Sequence, residues 1–229
     1  MKDSNKIVNL YEQIPKEFTD SMNYKNPSKD FPLKHPFRLL ISGGSGTGKS
    51  NVAINIVKMS KAFDEIWIIA KDVSEALYKY LATNKKFKIF DSMDDVPPLD
   101  EMNSKKQKLL IFDDMITESN KVLDKIAEYF VRGRKKNTSC IFITQSYFDV
   151  PTLLRKNLTH LLLMKLSDDG DLKRILRVYK FGSDSKEYEK KIYKIYSDAT
   201  SKDFGFFVID LVNPKNRYWD NFEFFYNVK

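Results

Sequence analysis

The run FRLLISGGSGTGKS, Phe37 to Ser50, constrains the fold of this chain more than any other stretch. An apolar strand ends in a glycine-rich turn, and a helix reading from Lys49 to Met59 follows at once. A turn rich in glycine lets successive backbone N–H groups converge on an anion without Cβ collisions. The helix behind it presents its positive end to the same point. Gly43 to Ser50 matches G-x-x-x-x-G-K-[ST], the phosphate-binding loop of nucleotide-binding proteins. On that pattern Gly43, Gly44, Ser45, Gly46, Thr47 and Gly48 form the cradle, and Asn51 is the next residue on the helix. On the same pattern Lys49 reaches the β- and γ-phosphates of a bound nucleotide, and the Ser50 hydroxyl is an Mg²⁺ ligand.

The rest of the chain supplies a sheet for this unit. Phe37–Ser42, Glu65–Ala70, Leu109–Asp113, Ser139–Thr144, His160–Leu166 and Phe206–Leu211 are apolar at consecutive positions, which predicts strands buried on both faces. Helical segments lie between them. Ala76–Leu81 follows Asp72 and Glu75, which have capping-box spacing, and Asn120–Phe130 follows Ser119. Pro151 marks the start of a short helix. Asp169 and Asp184 start Leu172–Tyr179 and Lys186–Tyr196, with Gly182 closing the first. Strands alternating with helices predict an α/β domain whose mostly parallel sheet is flanked by helices. From Gly205 the pattern changes: GFFVIDL, a turn at NPKNR, and YWDNFEFFY predict two C-terminal antiparallel edge strands. Residues 1–36, interrupted by Pro15, Pro27, Pro32 and Pro36, read as an N-terminal arm. Residues 37–229 read as the nucleotide-binding domain with its C-terminal β extension.

Composition narrows the classes further. A length of 229 residues suits one domain, and a single cysteine with two histidines argues against a disulfide scaffold or a Cys/His zinc site. The longest apolar runs, such as Leu109–Phe112 and Leu161–Met164, are far too short to cross a bilayer. The first residues include acids and lack the apolar stretch of a secretory signal. The expectation is a reduced, intracellular protein with no membrane partner. A net charge of +8 favours a polyanionic partner. Lysines cluster at Lys85–Lys86, Lys105–Lys106–Lys108 and Lys135–Lys136, either to track a phosphate backbone or as ordinary solvated loop charge.

Three further segments carry chemistry. LLIFDDM, Leu109 to Met115, is a buried strand delivering two acids at its C-terminal end, where doubly wound sheets bind ligands. Asp113 suits the Mg²⁺ shell and Asp114 suits acceptance of a proton from an attacking water, although spacing alone leaves the division of roles open. SCIFITQ, Ser139 to Gln145, is another buried strand ending in an amide that can both donate to and accept from a lytic water or a γ-phosphate. One helix fits between these two strands, which predicts that their ends lie side by side. VRGRKKN, Val131 to Asn137, offers Arg132 and Arg134 as arginine fingers acting on a neighbouring subunit's nucleotide, or as plain helix-end cations; Arg155 is a further candidate.

With these elements in this order, the chain resembles the genome-packaging ATPases of poxviruses, giant viruses and virophages, small members of the FtsK–HerA group of P-loop motors. The similarity runs from HPFRLLISGGSGTGKS through IFDD and RGRKKNTSCIFITQ to VPTLLRKNLTHLLLMKL, about residues 35–166. Thr144, Gln145, Pro151 and Asn157 occupy the places of the group's Thr-Gln strand end, proline-started helix and asparagine. The resemblance implies a homo-oligomeric ring, pentamer or hexamer, that hydrolyses ATP to move double-stranded DNA into a preformed viral capsid at virion assembly sites in an infected cell. It implies an additional strand between the loop strand and the acidic strand. It also implies that Asp113 is the metal acid, Asp114 the catalytic acid and Gln145 the sensor. Asp114 stands where the wider superfamily often has Glu, so the shorter side chain is expected to act through a water or in a closed ring.

Two other classes stay open at this level. One is a nucleotide-dependent DNA- or capsid-binding module without motor activity. The other is a P-loop nucleoside or nucleotide kinase, against which the paired acids argue. No N-K-x-D or D-x-x-G sequence is present, which disfavours a GTPase.

Overall fold

The computed structural model describes residues 9–19, 31–179, 186–213, 217–222 and 224–226. Among them the strands form one nine-stranded sheet. The strands are β1 (Arg38–Ser42), β2 (Glu65–Ala70), β3 (Phe87–Phe90), β4 (Lys108–Asp113), β5 (Thr138–Thr144), β6 (His160–Leu163), β7 (Phe207–Asp210), β8 (Tyr218–Asp220) and β9 (Phe224–Tyr226). The helices are α1 (Lys16–Thr19), α2 (Lys49–Ser60), α3 (Ala76–Ala82), α4 (Asn120–Arg132), α5 (Thr152–Lys156), α6 (Asp169–Val178) and α7 (Lys186–Ala199). Strand order is β3-β2-β4-β5-β1-β6-β7-β8-β9. The strands from β3 to β6 are mutually parallel, and β7, β8 and β9 continue the sheet in antiparallel pairings. β5 lies between β1 and β4, so the additional strand is present.

The consecutive apolar positions have the expected cause. In β4 and β5, Leu110, Phe112, Cys140 and Phe142 point into one core while Leu109, Ile111, Ile141 and Ile143 point into the other. The period-two alternation of a strand sends neighbouring side chains to opposite faces, and here both faces are covered. Leu123 and Ile126 of α4, Leu154 of α5, Ile175 of α6 and Ile192 of α7 fill the first core. Val52 and Ile56 of α2, with Tyr78 and Leu81 of α3, fill the second. Phe31 and Leu33, at the end of the proline-broken segment, are buried in this second core as well.

Four local expectations need revision. Asp72 and Glu75 form no capping box: Asp72 accepts from the backbone N–H of Ser74, and Glu75 occupies the N-cap without a side-chain bond. A short polar side chain bonding two residues ahead closes its own turn and leaves nothing for the helix amides. Phe87–Phe90 adds an edge strand that was not expected, because FKIF alternates with lysine and its burial is only partial. The C-terminal aromatic run divides into β8 and β9 where one strand was predicted. α6, expected over Leu172–Tyr179, begins about one turn earlier at Asp169, with Asp168 as N-cap accepting from Gly170 N–H. Ser119 does cap α4, accepting from Val122 N–H. Gly182 and Asp184 lie outside the described residues. Among the described residues no helix is long and apolar enough to cross a membrane.

Candidate nucleotide-binding site

The C-terminal ends of β1, β2, β4 and β5 converge. The register sets Ser42 beside Thr144, Ile143 beside Asp113, and Asp113 beside Ala70. Parallel pairing therefore brings the glycine-rich loop, both acids and Gln145 to one edge, although about a hundred residues separate the first from the last. The cleft there, about 200 Å³, is lined by Lys49, Ser50, Lys71, Asp72, Glu75, Tyr78, Asp113, Asp114, Thr144 and Gln145 among others.

The loop is shaped by glycine where the backbone requires it. Gly46 and Gly48 have φ of 74° and 89°, in the left-handed region that side chains disfavour. Gly43 and Gly44 serve another purpose. A Cβ on Gly43 would lie 2.7 Å from Met164 Cβ, and one on Gly44 would lie 2.7 Å from Ser167 Oγ. Their N–H groups donate to the carbonyls of Thr144 (3.3 Å) and Lys165 (2.9 Å). Amides already bonded to neighbouring strands are not available to a phosphate. Gly43 and Gly44 therefore anchor the cradle. Ser45 and Gly46 are exposed at its lip, and Asn51 is exposed on the first turn of α2.

Lys49 Nζ folds back on the loop, donating to Gly43 O (3.0 Å) and Gly44 O (2.9 Å). Burial lowers its pKa, while the charges of Asp113 and then Asp114 oppose that shift. Ser50 Oγ donates to Asp113 Oδ2 at 2.7 Å. A hydroxyl and a carboxylate held this close are hard oxygen donors of the kind Mg²⁺ takes when nucleotide phosphates and waters complete its shell. The donor set fits that ion. Asp114 follows directly, with φ of 52° and its N–H on Ile143 O. Asp tolerates this left-handed conformation better than most residues. Gln145 is exposed at the end of β5, next to Thr144, whose hydroxyl closes a turn with Ser146.

Arg132 and Arg134 are not part of this cleft. They lie before β5, at the strand end opposite Gln145, and the six residue steps of β5 span about 20 Å. Arg132 is paired with Asp100 at 3.0 Å and with Glu128. Arg155 donates to Val150 O and stacks over Tyr147. The lysine clusters also lie away from the cleft, and Lys108 is buried, donating to the carbonyls of Asn103 and Lys106.

Sequence reasoning missed Tyr78. Its hydroxyl donates to the same Asp113 oxygen that accepts from Ser50. Burial, reinforced by the Asp113 charge, raises its pKa above the usual phenol range, so it remains a donor. The only signal was a tyrosine on the apolar side of the helix following β2, where a buried hydroxyl needs a partner.

Loop, acids and sheet order together define a P-loop NTPase domain of the additional-strand type. Comparison with known proteins makes this more particular. The sequence profile described as "Poxvirus A32 protein" matches residues 25–217, and the chain belongs to that family. The DNA packaging protein OPG160 of Vaccinia virus (strain Western Reserve) is 28% identical over 168 residues, covering 67% of this chain and 62% of that protein. Its Monkeypox virus counterpart is 28% identical over 168 residues, 55% of its length. The chain thus spans somewhat under two thirds of these relatives. Among solved structures, the genome packaging NTPase B204 from Sulfolobus turreted icosahedral virus 2 superposes with a TM-score of 0.56 in its sulfate complex. That pairing has 16% identity and covers 79% of this chain and 94% of B204. The AMPPCP complex gives a TM-score of 0.56 at 18% identity, covering 78% of this chain and 94% of B204. At such identities the likeness concerns the fold.

Proposed function

We propose that this protein is an ATP-hydrolysing DNA translocase that packages double-stranded viral DNA into a preformed capsid, using Mg²⁺ and acting as a homo-oligomeric ring. The observation that carries the reading is the 2.7 Å bond between Ser50 Oγ and Asp113 Oδ2 beneath a glycine loop that Lys49 already lines. The relatives named for DNA packaging, and the B204 complex with an ATP analogue, support the choice of substrate and task.

Lys49 exchanges its two carbonyl partners for β- and γ-phosphate oxygens, and the amides of the turn and of the first residues of α2 bind the phosphates. Ser50 and Asp113 would hold Mg²⁺, which would supply positive charge against the phosphates of the bound nucleotide. Tyr78 keeps Asp113 aimed at Ser50. Gln145 orients a water toward the γ-phosphorus, and Asp114 takes its proton as the bond from that phosphorus to the leaving oxygen breaks. Arg132 or Arg134, distant from its own cleft, acts on a neighbouring subunit's nucleotide. Exposed cations contact DNA phosphates without reading sequence, so binding weakens linearly in log–log with salt. The site of action is the virion assembly site of an infected cell.

The test is ATP turnover with and without duplex DNA. Lys49→Ala should weaken ATP binding about 10- to 100-fold, since it removes bonds to a charged ligand. Asp114→Asn should leave binding intact and lower turnover about 10²- to 10⁴-fold. Turnover that is indifferent to DNA and requires a nucleoside acceptor would replace the motor by a kinase. If Asp114→Asn hydrolyses ATP normally, Asp114 is not the base; nucleotide-dependent DNA binding without DNA-stimulated turnover would leave only a binding module.

A further inference from the structure

A second cleft borders the glycine loop, on the side away from the acids. β1 has β5 and then β4 on one flank, carrying Gln145, Asp113 and Asp114, and β6 and then β7 on the other. On that other flank Gly46, Thr47, Met164 and Lys165 face the loop of residues 200–205 across a cavity of about 310 Å³. A nucleotide whose γ end lies at Asp113 and Gln145 runs its phosphates along the loop and delivers its nucleoside here.

The 200–205 loop is built rigidly. Thr200 N–H and Oγ1 both donate to Tyr196 O, at 3.0 and 2.9 Å, and Ser201 Oγ donates to Asp198 O at 2.7 Å. Gly205 N–H donates to Lys202 O at 3.0 Å, and a Cβ on Gly205 would come within 2.2 Å of Ala199 O, so only glycine closes the loop this tightly. Tyr196 ties the end of α7 to the strand beside the cleft: its hydroxyl donates to Met164 O at 3.2 Å and accepts from Leu166 N–H at 2.9 Å.

This scaffold holds Phe204 in an unusual state. Its φ is 59°, a left-handed conformation that is an outlier for a bulky residue and persists only where the surroundings over-determine it. Its ring rests directly on Gly48: a Cβ there would lie 2.4 Å from ring Cδ1. Even so, Phe204 is 56% exposed. A strained aromatic residue, seated on the phosphate loop and open to solvent beside a cavity, is not accounted for by packing.

We propose that the 200–205 loop seats the nucleobase of the bound nucleotide, with the exposed part of the Phe204 ring as its stacking platform. The proposal rests on the nucleotide reading above and adds the residue that takes the base. Every base has a π-face, so the platform contributes affinity with little choice among bases. It also couples the base to the cradle, because the same ring touches Gly48.

The test titrates the full-length chain, with Mg²⁺ present, against ATP and against inorganic tripolyphosphate, which has the phosphates without the base. Phe204→Ala should weaken ATP binding at least about fivefold, the lower end expected for loss of one base–aromatic stack, and leave tripolyphosphate binding unchanged. Phe204→Trp should retain ATP affinity and show, relative to the wild-type chain, added tryptophan quenching with ATP but not with tripolyphosphate. Equal weakening of both ligands by Phe204→Ala would overturn the proposal, since the ring would then only prop the loop. Unchanged binding of both would also overturn it, placing the base elsewhere. If the wild-type chain binds neither ligand, or Lys49→Ala leaves tripolyphosphate binding intact, the phosphate-loop reading itself fails, and that result is distinct from both of the others.

Discussion

Replacing Tyr78 with Phe removes one oxygen atom from the centre of the site, and the structure sets the size of the effect. Tyr78 is only 3% exposed, and its hydroxyl donates to Asp113 Oδ2. A hydrogen bond to a charged partner contributes about 1.5–3 kcal/mol net. Asp113 keeps a second donor on the same oxygen, Ser50 Oγ at 2.7 Å, and its carboxylate borders an open cleft where water can replace the phenol. The lower end of the range therefore applies, about 1.5 kcal/mol. For a chain of 229 residues each kcal/mol displaces the midpoint by about 2–4 °C, so Tm should fall by about 3–6 °C. The assay is thermal unfolding by circular dichroism without nucleotide and with EDTA. In an Asp113→Ala background the same Tyr78→Phe change should be nearly silent, because the charged acceptor has gone. An equal fall in both backgrounds, or none in the wild type, would refute the pairing.

Other expectations concern the loop, the buried histidines and the ring. Gly48→Ala should destabilise by at least about 1–2 kcal/mol of left-handed strain, aggravated by collision with Phe204, whereas Gly46→Ala meets no neighbour within 4 Å and incurs the strain alone; paired thermal melts give the difference. Burial lowers the His35 pKa from 6.5 to about 4, partly offset by its bond to Asn137. The unfolded chain then binds a proton that the folded chain refuses, so stability is intact above pH 6.5 and falls as pH drops toward 4, by about 2 kcal/mol at pH 5. Urea midpoints at pH 7.5 and 5 should show this slope, and His35→Gln should flatten it; His160, lowered by burial against the opposing charge of Asp210, contributes with the same sign. Mixing an Arg132→Ala/Arg134→Ala subunit with an Asp114→Asn subunit should restore part of the turnover that each lacks, and strictly additive activity would exclude a role in trans.

Much of this site was legible because its elements are local. The glycine turn, the acids closing an apolar strand and the terminal Gln145 each carry their signal within a few residues, and Asp113, Ser50 and Lys49 meet as spacing implied. What escaped depends on distant partners. Asp72 and Glu75 have capping spacing, but the turn to Ser74 competed successfully for the Asp72 carboxylate. Lys108 looks like one of a solvated cluster, yet the start of a central strand buries it against two carbonyls. Gly43 and Gly44 look like phosphate donors until strand pairing takes their amides.

The parallel α/β architecture, the glycine-rich loop and the order of the candidate site residues could be read from the amino-acid sequence, because periodicity and turn chemistry are properties of short segments. That Tyr78 shares Asp113 with Ser50, that Arg132 pairs with Asp100, and that Phe204 rests on Gly48 came from the folded chain alone. Each of those joins residues far apart along the chain. Their meeting depends on strand order and helix packing, which no local pattern encodes.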